Sequence, residues 1–229
     1  MKENVAREVE FESSFEAGPA VAVAIGLQVL LAVMSQSQDW STWEFSWWIW
    51  LLPILPEVVI LVLDVWRRPH RRLVQMGIRR EVGITLLALA SAANALLVVG
   101  LIASLVSGDE KSGAQLLLKA ATVWGTNVIL FGLWFWIFDR GGPVRRLEPN
   151  PRPPDFLFPQ IDSPDVAAPG WRPHFVDYMY VSFTNSIAFS PTDTLPLSRW
   201  AKLLMLFESA LSALVVLLVA ARAVNIFKG

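Results

Sequence analysis

The chain has 229 residues, of which 54% are hydrophobic and 17% charged, with eleven Trp; so apolar a composition cannot cover a water-exposed surface and points to a bilayer. A formal net charge of −1 singles out no charged partner, and the absence of Cys excludes disulfides, thiolate metal sites and cysteine nucleophiles. A helix crossing ~30 Å of hydrocarbon needs about 20 mostly apolar residues, which sets the length against which each window is judged.

Met1 to Ala17 holds five Glu against Lys2 and Arg7 and lacks the basic start of a cleaved signal peptide, so the first window, Gly18 to Ser35, reads as a retained membrane helix. The WSTWEFSWWIW run at Trp40 to Trp50 reads as an aromatic belt at the non-cytoplasmic interface. The second window, Phe45 to Leu63, overlaps it and contains Pro53 and Pro56. Glu57 and Asp64 lie seven apart, on one helical face, and Asp64 is close enough to the basic loop to pair with Arg67 or Arg68. A charge at mid-membrane costs at least ~2.5 kcal/mol, so Glu57 is expected to face protein or water. It either bonds Asn94, Asn127 or Lys119 or handles a proton or cation.

The third and fourth windows are Val82 to Val106 and Leu116 to Phe138, with Lys119 close enough to a helix end to snorkel. Between the second and third, Arg67 to Arg80 contains six Arg; Asp139 to Pro173 contains five more. Together with Lys2 and Arg7 they outnumber the single Lys111 of the opposite loops, which puts the N-terminus in the cytoplasm. These Arg hug membrane ends, which argues against a nucleic-acid partner. Asp139 to Pro173 also holds nine of the fifteen Pro and cannot propagate a helix. Its Phe156, Leu157, Phe158 and Trp171 are expected to pack back on the protein or at the interface.

Tyr180 to Lys202, YVSFTNSIAFSPTDTLPLSRWAK, runs from a short amphipathic segment through a proline-interrupted polar turn into a long apolar helix. That order fits a re-entrant loop, because irregular backbone at membrane depth survives only where protein buries it or water lines it. The window Phe175 to Ser190 is short and carries Asp177 and Asn185, as a span or a half-span would; Leu203 to Ala221 is the last full window. In it Ser209, Ser212, Ala213, Val216 and Ala220 form a narrow face of small residues. Close helix packing is its first use and pore lining its second. Glu208, beside that face, is a second buried carboxylate.

Tyr180, Ser182 and Phe183, then Asp193 and Pro196, then Lys202, Glu208 and Ala220-Ala221-Arg222 fall where bacterial two-helix potassium channels have pore helix, filter end and inner helix. The C-terminal part, 174–229, resembles that module. The whole chain, including DRGGP at Asp139 to Pro143 and PTDTLPLSRWAK at Pro191 to Lys202, also resembles a family of uncharacterised bacterial multispanning membrane proteins, which supplies no activity. The channel resemblance implies a filter-like stretch of Thr184, Ser186, Ala188, Phe189, Ser190, Pro191, Thr192 and Asp193, and a pore-helix or inner-helix role for Glu208, Ser209, Ser212, Ala213 and Val216. The filter is degenerate: Ser190 and Thr192 stand where a potassium filter has two glycines, with Pro191 between them. Potassium selectivity is therefore not expected.

The expectation is an all-α integral membrane protein of the bacterial inner membrane. It has five transmembrane helices plus a re-entrant pore-loop-like hairpin, or six spans. Residues 1–138 form a four-helix region, 139–173 a Pro-rich loop and 174–229 the pore-loop-like module. With the N-terminus inside, the loop enters from the cytoplasm, opposite to potassium channels. The leading function is a homo-oligomer, with a tetramer favoured because one loop per chain needs several copies to enclose an axis, passing small cations with weak selectivity. A non-conducting scaffold or accessory subunit and a proton-coupled carrier using Glu57 and Glu208 are the alternatives. No catalytic or metal motif involves His70 or His174, so neither an enzyme nor a cofactor is expected.

Overall fold

The computed structural model describes residues 16–40, 46–65, 79–108, 112–143, 145–147, 152–188 and 193–228. The chain is mostly helical: α1 (Gly18–Ser37), a 3-10 turn (Trp47–Leu51), α2 (Ile54–Val65), α3 (Arg79–Ser107), α4 (Gly113–Phe138), a one-turn α5 (Pro159–Asp162), α6 (Phe175–Ala188) and α7 (Arg199–Lys228). Two two-residue strands, β1 (Phe156–Leu157) and β2 (Leu195–Pro196), pair antiparallel with Phe156 opposite Pro196 and Leu157 opposite Leu195. The four helices α1, α3, α4 and α7 are long and apolar enough to cross a membrane.

The second expected window departs from this. Pro53 has no N–H to continue a ladder, so the segment splits: the Leu52 amide closes the 3-10 turn on the Ile49 carbonyl, and the Glu57 amide then starts α2 on the Pro53 carbonyl. Twelve residues remain in α2, about 18 Å at 1.5 Å each, short of the hydrocarbon thickness. Of the aromatic belt, Trp47 and Trp48 are exposed whereas Trp50 is fully buried.

The chain divides into two compact units. One comprises Met1–Pro19 and Phe131–Leu211; the other comprises Ala20–Leu130 and Ser212–Gly229. In the first, α4 stops at Asp139-Arg140-Gly141-Gly142, where φ is positive at Arg140, Gly141 and Gly142. Left-handed backbone cannot extend an L-residue helix, and only the two glycines accept it without steric cost. The Pro-rich loop that follows is ordered by aromatic packing: Phe156 lies tilted against Phe135 at 5.1 Å and edge-on to Trp200 at 5.7 Å and Tyr178 at 6.2 Å between ring centroids. Phe158 lies 5.2 Å from Tyr178 and 5.8 Å from Trp171. Phe156 and Phe158 are buried, as the expectation of a packed loop requires; Leu157 and Trp171 are half-buried. Gly132 lets α6 lie directly on α4, since a Cβ there would come within 3.1 Å of the Met179 Cα.

In the second unit the core draws on α1 (Val21, Ala24, Leu31), α3 (Leu87, Ala90, Leu97, Leu101) and α4 (Leu116, Val123). Outward faces are apolar as well. Leu55, Leu89, Leu96 and Val106 all stand more than half exposed, a surface suited to lipid rather than water.

Candidate functional site

The helix α6 is fixed at its first turn by two carboxylates. Glu16 accepts from the Phe175 amide at 2.9 Å and lies 2.8 Å from the His174 ring, while Asp177 reaches back 2.7 Å to the His174 amide. Both satisfy amides left open at a helix start and complement its positive end. His174, which belongs to no catalytic or metal motif in the sequence, is thus part of a helix cap.

One turn on, Tyr178 enters a buried polar hub centred on Asp139, which is fully shielded from solvent. Its Oδ1 accepts from the Asp155 amide at 2.8 Å, and its Oδ2 accepts the Tyr178 hydroxyl at 2.5 Å. The Arg146 guanidinium lies 3.9 Å from Oδ2, donates to the Trp136 carbonyl at 2.8 Å and sits 5.0 Å from the centroid of the Tyr178 ring. Burial lowers the Arg146 pKa from its ordinary value; Tyr178 and Asp139 oppose that. Asp155 completes the hub by accepting from the Arg140 amide at 2.9 Å and from the Trp200 indole at 2.7 Å. The DRGGP turn, the Pro-rich loop, α6 and the start of α7 therefore share one set of hydrogen bonds.

Deeper along α6, Ser182, Asn185 and Ser186 form a buried face. Ser182 donates to Glu208 Oε1 and Asn185 donates to Glu208 Oε2 at 2.7 Å; the same Asn185 amide group also reaches the Met205 carbonyl at 3.0 Å. Ser209 donates to Asn185 Oδ1 at 3.0 Å. Glu208 is fully buried, makes no ion pair among the described residues, and has both oxygens occupied by neutral donors.

In the other unit, Glu57 is buried and takes a 3.0 Å hydrogen bond from the Gln28 side-chain amide, which lies 3.4 Å from the Thr126 hydroxyl. Its expected partners are engaged elsewhere: Asn94 donates to Asn127 at 3.4 Å. Lys119, expected to snorkel, is fully buried instead.

The sequence-derived pore residues distribute as follows. Thr184 and Ser186 return their hydroxyls to their own helix, at 2.9 Å to the Tyr180 carbonyl and 2.8 Å to the Phe183 carbonyl. Ala188 and Asp193 are exposed, and the Asp193 carboxylate accepts from Thr194 at 3.3 Å. Phe189, Ser190, Pro191 and Thr192 lie outside the described residues. On the stripe, Ser209 faces Asn185, Ser212 is buried, Ala213 is half-buried and Val216 is 43% exposed. Arg222 donates to the Gly108 carbonyl at 3.1 Å. Sequence reading missed the Asp139 hub and the Gln28–Thr126 company of Glu57. For Asp139 a signal existed, an acid directly at a glycine-terminated helix end; for Gln28 there was none, since nothing local ties it to residues 29 and 98 positions away. No family model, curated protein or solved structure matches the chain.

Proposed function

We propose that the protein is a homo-oligomeric membrane channel that passes small cations with weak selectivity, the hairpin that runs out through α6 and back to β2 serving as its re-entrant element. What carries this reading is the β1–β2 pair: β1 precedes α6 and β2 follows it, so the chain leaves through α6 and returns to the loop it left. At 14 residues α6 is about 21 Å long, too short to cross and long enough to enter. One face of α6 is locked on α7 through Glu208. Its other face, with Val176, Tyr180, Phe183 and Ile187, is exposed in the single chain, as a neighbouring subunit would require. The hydroxyls of Ser190 and Thr192 and the exposed Asp193 suit hydrated cations, and without filter glycines no carbonyl stack discriminates potassium. A cytoplasmic N-terminus in a bacterial inner membrane accords with the basic-residue count.

The test is electrical. Purified protein in planar bilayers is expected to give currents with sodium and potassium permeabilities about equal, and Asp193→Asn to reduce the preference for cations over chloride. Oligomeric protein that inserts and stays silent would overturn the reading in favour of a scaffold. A second reading, a proton-coupled carrier, draws on Glu57 and Glu208, both buried and without an ion pair among the described residues. Proton-dependent uptake that survives Glu57→Gln would remove it.

A further inference from the structure

The Glu57 cluster belongs to the unit comprising Ala20–Leu130 and Ser212–Gly229. It joins one residue from each of three helices: Gln28 from the middle of α1, Glu57 from the first turn of α2 and Thr126 from the middle of α4. Each is at most 1% exposed. The Gln28 amide nitrogen serves Glu57 Oε1 at 3.0 Å and Thr126 at 3.4 Å, yet Glu57 Oε2 and Gln28 Oε1 have no hydrogen-bond partner.

Two physical demands meet there. A buried carboxylate without countercharge is costly, and a buried oxygen without a donor adds desolvation that nothing recovers. The cluster is short of positive charge and short of donors at once, while being rich in oxygen: a carboxylate, an amide carbonyl and a hydroxyl. A cation ligated by oxygen answers both shortages with one particle. The donor set also restricts its charge. One carboxylate with neutral oxygens suits a monovalent ion, whereas divalent sites draw several carboxylates, and no group of three His, Cys, Asp or Glu able to hold a metal occurs among the described residues.

We propose that Glu57, Gln28 and Thr126 form a binding site for a small monovalent cation, sodium, at the meeting of α1, α2 and α4. The break at Pro53 builds the site. It starts a new helix just before Glu57, so the carboxylate sits in a first turn, where the helix end itself favours negative charge. The site does not depend on the hairpin conduit, and its occupancy is measurable without any current.

The experiment uses the full chain purified in detergent micelles, with radioactive sodium as ligand and choline chloride holding ionic strength constant. The wild type is expected to bind sodium saturably, one ion per chain, and its thermal unfolding midpoint to rise with sodium but not with choline. Glu57→Gln is expected to weaken binding roughly tenfold or more, and Thr126→Val, which keeps side-chain volume, to weaken it as well. Should Glu57→Gln fail to fold, Thr126→Val and Gln28→Met read the site. Wild-type protein that binds no sodium overturns the proposal and leaves Glu57 a carboxyl neutralised by a proton. Binding unchanged in the folded variants overturns the assignment to these residues.

Discussion

Asp139 ties the loop to α6 through its two carboxylate oxygens, and Asp155 extends the set to α7. Asp139 offers Oδ1 to the Asp155 amide, Oδ2 to Tyr178 and its charge to Arg146. Asp139→Ala would leave the buried Arg146 cation uncompensated, a class of change that costs about 3–5 kcal/mol. Tyr178→Phe removes one hydrogen bond to a charged acceptor, about 1.5–3 kcal/mol. Thermal unfolding in micelles should rank Asp139→Ala well below Tyr178→Phe; equal midpoints would refute the hub. Glu208 presents a different balance, because both its oxygens meet neutral donors and Ser182 can also accept. Glu208→Gln is therefore expected to remain within about 1 kcal/mol of wild type, its carbonyl towards Asn185 and its amide towards Ser182. Glu208→Ala strands Asn185 and Ser182 and should cost about 2–4 kcal/mol. A Gln variant as unstable as the Ala variant would show that the site depends on charge.

For the hairpin the decisive prediction concerns sidedness. The chain contains no Cys, so introduced ones label against a clean background. If α6 enters and the chain turns back, cysteines at Asp165 and Asp193, both exposed, react with an impermeant reagent from one face of the membrane, and a cysteine at Gly229 from the other. Asp165 and Asp193 reacting from opposite faces would make α6 a crossing segment. The broken second window belongs to the same scale. Pro53 and Pro56 were visible in the sequence, and the elementary rule that proline cannot donate says where the break falls. Apolarity over Phe45 to Leu63 nevertheless reads as one continuous span, because hydropathy counts side chains and is blind to the missing amides.

At the level of the molecule, the four helices among the described residues that are long and apolar enough to span, with exposed Leu and Val along them, present an outer surface that suits hydrocarbon. On α7 the side chains of Leu203, Leu206, Phe207 and Leu217 are each at least 60% exposed in the single chain. A surface this apolar suits lipid or a second copy. A shared axis demands the second, so mass measured in detergent should be four times that of the chain; a strict monomer would remove the conduit while leaving the sodium proposal intact.

The amino-acid sequence by itself determined the apolar character, the helical class, the approximate positions of the long helices and the candidate status of Glu57 and Glu208. Those follow from composition and from runs of neighbouring residues, quantities that need no partner. Only the tertiary structure decided what the carboxylates touch: Gln28 for Glu57, Ser182 and Asn185 for Glu208, and Tyr178 and Arg146 for Asp139. The reason is physical. In apolar surroundings a polar side chain bonds whichever group the packing of helices brings within about 3 Å, and in the unit that holds Asp139 that packing is set by Gly132, which admits α6 onto α4, and by the ring contacts around Phe156.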